Sequence, residues 1–171
     1  MDKASKKSVL VVDDEEDVLA YLSAALKSAG FDVVTARDGL EALEKVKEKK
    51  PDLISLDLVM PRHSGAKFHR ELTKNKEWAK IPVLIVTGHA RDDLGKADLK
   101  SLVMSGPGIY LEKPVNPENY IASVKRLLGM EIGPEESEMA DKVELQSKLK
   151  TLIDDADPDT LAKIKKMLEN K

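Results

Sequence analysis

The sequence predicts a doubly wound α/β domain: a five-stranded parallel sheet flanked by five helices, followed by a C-terminal helical hairpin. Three observations carry that prediction. Short apolar runs alternate with amphipathic stretches through the first 130 residues. The runs lack the polar alternation of a half-exposed sheet, as strands covered on both faces do. Cap and turn residues stand between them, where helices must start and stop.

The elements follow in order. Val9-Leu10-Val11-Val12 is a β-branched run that stops at Asp13-Asp14-Glu15-Glu16-Asp17. Val18, Leu22, Ala25, Leu26 and Ala29 then form one stripe at helical spacing, closed by Gly30 where a left-handed C-cap sits. Residues 32–36 are a second short strand. Asp38 with Glu41 opens a helix in capping-box fashion, running through Lys49 and stopped by Pro51. Residues 53–58 are the third strand, leading through Met60-Pro61 and a turn at Ser64-Gly65 into a helix over 66–74. The fourth strand is 82–87, a charged helix covers about 92–104, and 109–111 is a short fifth strand. Asn116 caps a last helix with Pro117 at its first position, and Tyr120, Val124, Leu127 and Leu128 face inward.

With 171 residues, 42% hydrophobic and 35% charged, the chain has room for one sizeable domain and an appendage. A net charge of −3 offers no electrostatic footprint for nucleic acid or an anionic membrane. The absence of cysteine excludes disulfides and thiolate metal sites, and no apolar run approaches a membrane span. A signal sequence is not expected either, since the basic N-terminus precedes only the short run at Val9. A cytoplasmic protein is expected.

In an open parallel sheet, ligands bind at the carboxyl ends of the strands. Strand one ends in Asp13-Asp14, strand three in Asp57, strand four in Thr87, and strand five leads into Lys113-Pro114. Three carboxylates, one hydroxyl and one ammonium therefore meet at one edge. Carboxylates this close repel, so they carry raised pKa values or hold a cation. Hard oxygen donors without sulfur or paired histidine favour Mg²⁺. One carboxylate is then a candidate nucleophile toward phosphorus, with Mg²⁺, Lys113 and Thr87 stabilising the phosphoryl oxygens. An acid pair after a strand also serves as an ordinary helix N-terminus, and Asp13-Asp14 alone does not distinguish the two.

The ordered set Val-Val-Asp-Asp, Leu-Asp-Leu-Val-Met-Pro, Ile-Val-Thr-Gly and Tyr-Leu-Glu-Lys-Pro resembles the receiver domain of two-component response regulators, over about residues 7–130. The resemblance implies the strand order 2-1-3-4-5 and assigns roles. Asp57 matches the phosphoacceptor, and Asp14 the direct Mg²⁺ ligand. Asp13 would assist through water, with the Val59 carbonyl as a further ligand. Thr87 matches the hydroxyl that turns toward the phosphoryl group, supported by the Gly88 N–H. Lys113 matches the phosphate-binding lysine, Pro114 the proline that follows it through a cis bond, and Tyr110 the aromatic partner of Thr87 in the switch. Gly88 stands where alanine is frequent. Gly106-Pro107-Gly108 and a long Thr87-to-Lys113 interval depart from the family pattern, on what would be the output face. His89 and Val59 flank the line of water attack. His63 and His69 are expected at the surface or half-buried, and Trp78 under the loop into strand four.

After Met130 the composition shifts. Residues 131–141 read as a linker, and 142–171 as a helical extension: Leu145, Leu149, Leu152 and Ile153 fall at one helical phase, then Asp157-Pro158 restarts a helix with Leu161, Ile164, Met167 and Leu168. From residue 131 onward acids outnumber bases, eleven to seven, a poor charge balance for reading duplex DNA. The apolar stripes are expected to pack on the receiver, across a dimer, or against a partner.

The expected function is thus a phosphorylated signalling switch with no enzymatic or DNA-binding output domain. Its partners would be a histidine kinase or phosphotransfer protein, and an output protein or a second copy. Beyond self-phosphorylation and self-dephosphorylation it is not expected to be an enzyme. A phosphorylation-independent adaptor with the same fold is the alternative, and the full set of strand-end residues speaks against it. A stand-alone phosphatase lacks support: no Asp-x-Asp pair follows a strand, and no cap-sized insertion is present.

Overall fold

The computed structural model describes residues 5–60, 64–88 and 109–169. The expected helix over 92–104, Pro61, His63, His89 and Gly106-Pro107-Gly108 lie outside the described residues. Five strands, β1 (Ser8–Val12), β2 (Asp32–Ala36), β3 (Leu53–Leu56), β4 (Val83–Thr87) and β5 (Ile109–Glu112), form one sheet in the order 2-1-3-4-5, parallel at every pairing. Helices α1 (Glu16–Ser28), α2 (Gly39–Glu48), α3 (Gly65–Lys74) and α4 (Pro117–Leu127) flank it. The extension is α5 (Pro134–Asp155) and α6 (Pro158–Glu169).

Consecutive apolar residues on β1, β3 and β4 feed opposite faces of the sheet. Leu10, Val12, Ile54, Leu56 and Ile85 pack with Ala42, Val46, Phe68 and Leu72 of α2 and α3. Val9, Val11, Leu53, Leu84 and Val86 pack with Leu19, Leu22, Leu26, Tyr120 and Val124 of α1 and α4. These two clusters are why the strands read as unbroken apolar runs.

The punctuation residues act locally. Asp38 accepts from the N–H groups of Leu40 and Glu41, both at 2.9 Å, while Glu41 reaches back to the Arg37 N–H at 2.9 Å. The reciprocal bond of the capping box is thus made one residue earlier than the standard pattern. Gly30 takes φ +91°, a left-handed setting that disfavours a side chain. β4 begins at Val83 rather than 82, because Pro82 has no N–H to donate; its carbonyl still accepts from Ile54 at 3.0 Å. Trp78 packs half-buried against the α2–α3 side.

The extension departs from expectation. The segment 131–141, read as a linker, is helical from Pro134. Pro134 occupies the first turn, where its missing N–H is harmless, and Glu135 and Glu136 suit the positive end of the helix dipole. Ion pairs Lys125–Glu136 and Arg126–Asp141, both at 2.5 Å, tie that half to α4. These contacts set the rotation of α5: Ala140, Val143 and Ser147 face inward and are buried. Leu145, Leu149, Leu152 and Ile153, opposite them, stay exposed. Burial of Val143 with Ala140 stabilises the docked helix by on the order of 2–3 kcal/mol. α6 buries none of its residues. No helix among the described residues is long and apolar enough to cross a membrane.

Candidate functional site

The carboxyl edge of the sheet collects the charged residues that follow β1, β3 and β5. The Asp13 N–H continues the ladder to the Ala36 carbonyl at 3.1 Å, and the Asp57 N–H to the Val12 carbonyl at 2.9 Å. Backbone pairing thus fixes both aspartates one residue past their strands. Their side chains are turned and held by the chain that follows: Asp13 Oδ1 accepts from the Glu15 N–H at 3.0 Å, Asp57 Oδ1 from the Val59 N–H at 3.1 Å. That Asx turn ends β3 at Leu56, where a strand to 58 was expected.

Carboxylate oxygens of Asp13, Asp14 and Asp57 all lie within 4.8 Å of one another, the one such cluster among the described residues. Asp13 and Asp57 are 1% and 4% exposed, while Asp14 faces solvent. The Lys113 ammonium reaches across, 2.8 Å from Asp13 Oδ2, 3.2 Å from Asp57 Oδ2 and 2.8 Å from Glu15 Oε1. One ammonium cannot satisfy two buried carboxylates. Burial therefore holds the carboxyls of Asp13 and Asp57 above the usual range despite Lys113. Burial also disfavours the Lys113 charge, but its three acidic neighbours outweigh this and keep it protonated well above the ordinary lysine value.

The donor set is three hard-oxygen carboxylates, with Asp14 at the solvent side, which fits Mg²⁺. Thr87 closes β4 in register with Glu112, and Gly88 follows. Among the described residues, a side chain at Gly88 would meet no atom within 4 Å. Tyr110 lies on β5, half-buried against the α2–α3 cluster. The Lys113–Pro114 bond is cis, as expected. His69 stands apart from the site on α3, half-buried, and burial lowers its pKa.

The described residues therefore bring together Asp13, Asp14, Asp57 and Lys113, with Val59 beside them. Two residues were not singled out from the sequence. Glu15 holds Lys113 from the solvent side; its only signal was membership of an acidic run. Gly65 lies so close beneath the site that an added Cβ would fall 1.9 Å from the Asp57 carbonyl oxygen. The sequence marked it merely as a turn.

Compared with known proteins, the sequence matches the response regulator receiver domain over residues 9–125. This chain belongs to the receiver family. The receiver is 32% identical to the polar-differentiation response regulator DivK of Brucella anthropi, a match covering 72% of this chain and 97% of that one. It is 39% identical to the alkaline phosphatase synthesis transcriptional regulatory protein PhoP of Bacillus subtilis, covering 78% of this chain but about half, 53%, of that relative. Among solved structures, the receiver superposes on the chemotaxis protein CheY4 of Vibrio cholerae with TM-score 0.63 at 31% identity, covering 72% of this chain and 99% of that chain. A CheY-like receiver domain protein of Methanospirillum hungatei superposes with TM-score 0.65 at 25% identity, covering 78% and 98%. Membership brings the fold and the two-component setting.

Proposed function

We propose that this receiver accepts a phosphoryl group on Asp57, with Mg²⁺, from a histidine kinase or phosphotransfer protein. We also propose that it signals through protein contacts, made with an output protein or a second copy through its C-terminal helices. The observation that carries this reading is the juxtaposition of the Asp13, Asp14 and Asp57 carboxylates with the Lys113 ammonium.

In the forward step a carboxylate oxygen of Asp57 forms a bond to phosphorus as the phosphorus–nitrogen bond of the donor phosphohistidine breaks. The electron pair leaves with the imidazole nitrogen, which is protonated, and the product is an acyl phosphate. Asp13, Asp14, Asp57 and the Val59 carbonyl would hold Mg²⁺, which when bound offsets charge on the phosphoryl oxygens. Lys113 supplies a fixed positive charge to the same oxygens, already positioned by Asp13 and Glu15. The Thr87 hydroxyl donates to a phosphoryl oxygen, assisted by the Gly88 N–H, and the inward turn of Tyr110 follows Thr87. In hydrolysis, water attacks phosphorus and the acyl phosphate bond breaks, returning the Asp57 carboxylate and inorganic phosphate. The acid-rich helices after the receiver suit protein partners better than duplex DNA.

Intact mass after incubation with acetyl phosphate and Mg²⁺ tests the reading. One phosphoryl gain is expected, absent without Mg²⁺ and in Asp57→Asn. If wild type neither gains mass nor binds beryllofluoride, the phosphoacceptor assignment is wrong and the adaptor reading replaces it.

A further inference from the structure

Helix α5 is held on the receiver by its weaker face. Alanine, valine and serine at 140, 143 and 147 face inward, while the leucines at 145, 149 and 152 face out. Where the helix grips is specific. β5 lies at the edge of the sheet. On its outer side, the Ser147 hydroxyl oxygen sits 3.4 Å from the Tyr110 N–H nitrogen and 2.8 Å from the Tyr110 carbonyl oxygen. Its single proton is shared between that carbonyl and the Val143 carbonyl at 2.9 Å. One turn on, the Lys150 ammonium pairs with the Glu112 carboxylate and stands 5.7 Å from the centre of the Tyr110 ring. The next residue along the chain is Lys113, whose ammonium sits on Asp13, Glu15 and Asp57. Four consecutive residues, 110–113, thus carry the grip of α5 at one end and the charge network of the site at the other.

We propose that α5 is a displaceable clasp on the β5 edge, engaged when Asp57 is unloaded and loosened when Asp57 is loaded, with Ser147 and Lys150 reading the positions of Tyr110 and Glu112. The proposal rests on Asp57 being the phosphoacceptor. A phosphoryl group adds negative oxygens for Lys113 and draws it away from Asp13 and Glu15. Its neighbours on β5 shift with it. The clasp is fitted to β5 as it stands, so a shift of Tyr110 and Glu112 weakens contacts that only one setting satisfies. No leucine of α5 anchors the helix: Ala140, Val143 and the ion pairs to Lys125 and Arg126 hold its first half, and this polar grip holds the part that follows. Release uncovers the outer side of β5 and frees the leucine-bearing helix. By thermodynamic reciprocity, loosening the clasp must in turn favour loading.

The test uses the full chain, with beryllofluoride and Mg²⁺ as the phosphoryl mimic and ¹⁹F NMR to follow binding. On loading, amide hydrogen exchange within 140–150 should accelerate by about fivefold or more. Lys150→Gln and Ser147→Ala should bind beryllofluoride about threefold more tightly than wild type. If beryllofluoride binds while exchange in α5 is unchanged or slower, and both variants keep wild-type affinity, the clasp is overturned and the Asp57 reading stands. If beryllofluoride does not bind at all, both fall.

Discussion

The carboxyl edge of the sheet and the C-terminal extension break the usual partition of side chains in opposite senses. At the sheet edge, charges are inside: Asp13 and Asp57 are nearly inaccessible, and Lys113 is mostly covered. In the extension, apolar groups are outside: Leu152, Met167 and Leu168 are 66%, 75% and 73% exposed. Buried carboxylates are tolerated because β1 and β3 around them are fully packed and their backbone groups paired. The extension has no comparable core of its own, and α5 borrows one through Val143. One region stores unfavourable electrostatics in a rigid frame; the other presents apolar surface on a loosely held one. Both departures fall where a ligand or a partner would relieve them.

The sharpest way to break this comparison is at Gly65. Gly65→Ala forces a Cβ into the Asp57 carbonyl, and the loss should reach about 3 kcal/mol in urea unfolding, with beryllofluoride binding lost as well. Gly88→Ala, with open space around it among the described residues, should stay within about 0.5 kcal/mol. A Gly65 variant of wild-type stability would mean the frame around Asp57 is softer than described. In the extension, Val143→Ala should cost about 1–2 kcal/mol in the same measurement, while Leu149→Ala in dilute protein should be near neutral. Equal losses at the two positions would erase the distinction between the faces of α5.

A third prediction concerns charge. The Asp13 and Asp57 carboxyls bind protons more tightly in the folded chain than in the unfolded one. The stability they contribute is therefore present when protonated, below the ordinary carboxylate range, and is lost as pH rises through their raised folded values. At neutral pH without Mg²⁺, Asp57→Asn should raise the thermal midpoint by a few degrees. Mg²⁺ should stabilise wild type more than the variant. A lower midpoint for Asp57→Asn would show that Lys113 more than compensates the buried charge. A modest effect is expected at Arg126→Ala, whose partly exposed pair with Asp141 should contribute under about 1 kcal/mol to docking of α5.

Most of the fold was legible because its code is local. Apolar runs such as Val9 to Val12 need two covered faces, Asp38 and Asn116 mark helix starts, and strand ends locate Asp13, Asp57 and Lys113. What was illegible depends on distance in sequence. Gly65 matters through an approach to Asp57 that no composition reveals. The rotation of α5 follows its ion pairs with Lys125 and Arg126 on a different helix, so of the three expected covers for its leucine stripe, packing on the receiver is not the one the structure takes. Glutamates in 131–141 looked like linker composition, yet they are good helix formers at a helix start.

The hydroxyl of Ser147 on the Tyr110 backbone has a practical consequence. A sheet edge with unpaired amides is a template for another chain, and α5 occupies this one. Cutting the protein back to its receiver would remove the Ser147 hydroxyl from the Tyr110 backbone and favour strand-to-strand pairing between molecules there. A dimer or aggregate of such a fragment would then report the cut, and the oligomeric state is to be read with α5 in place.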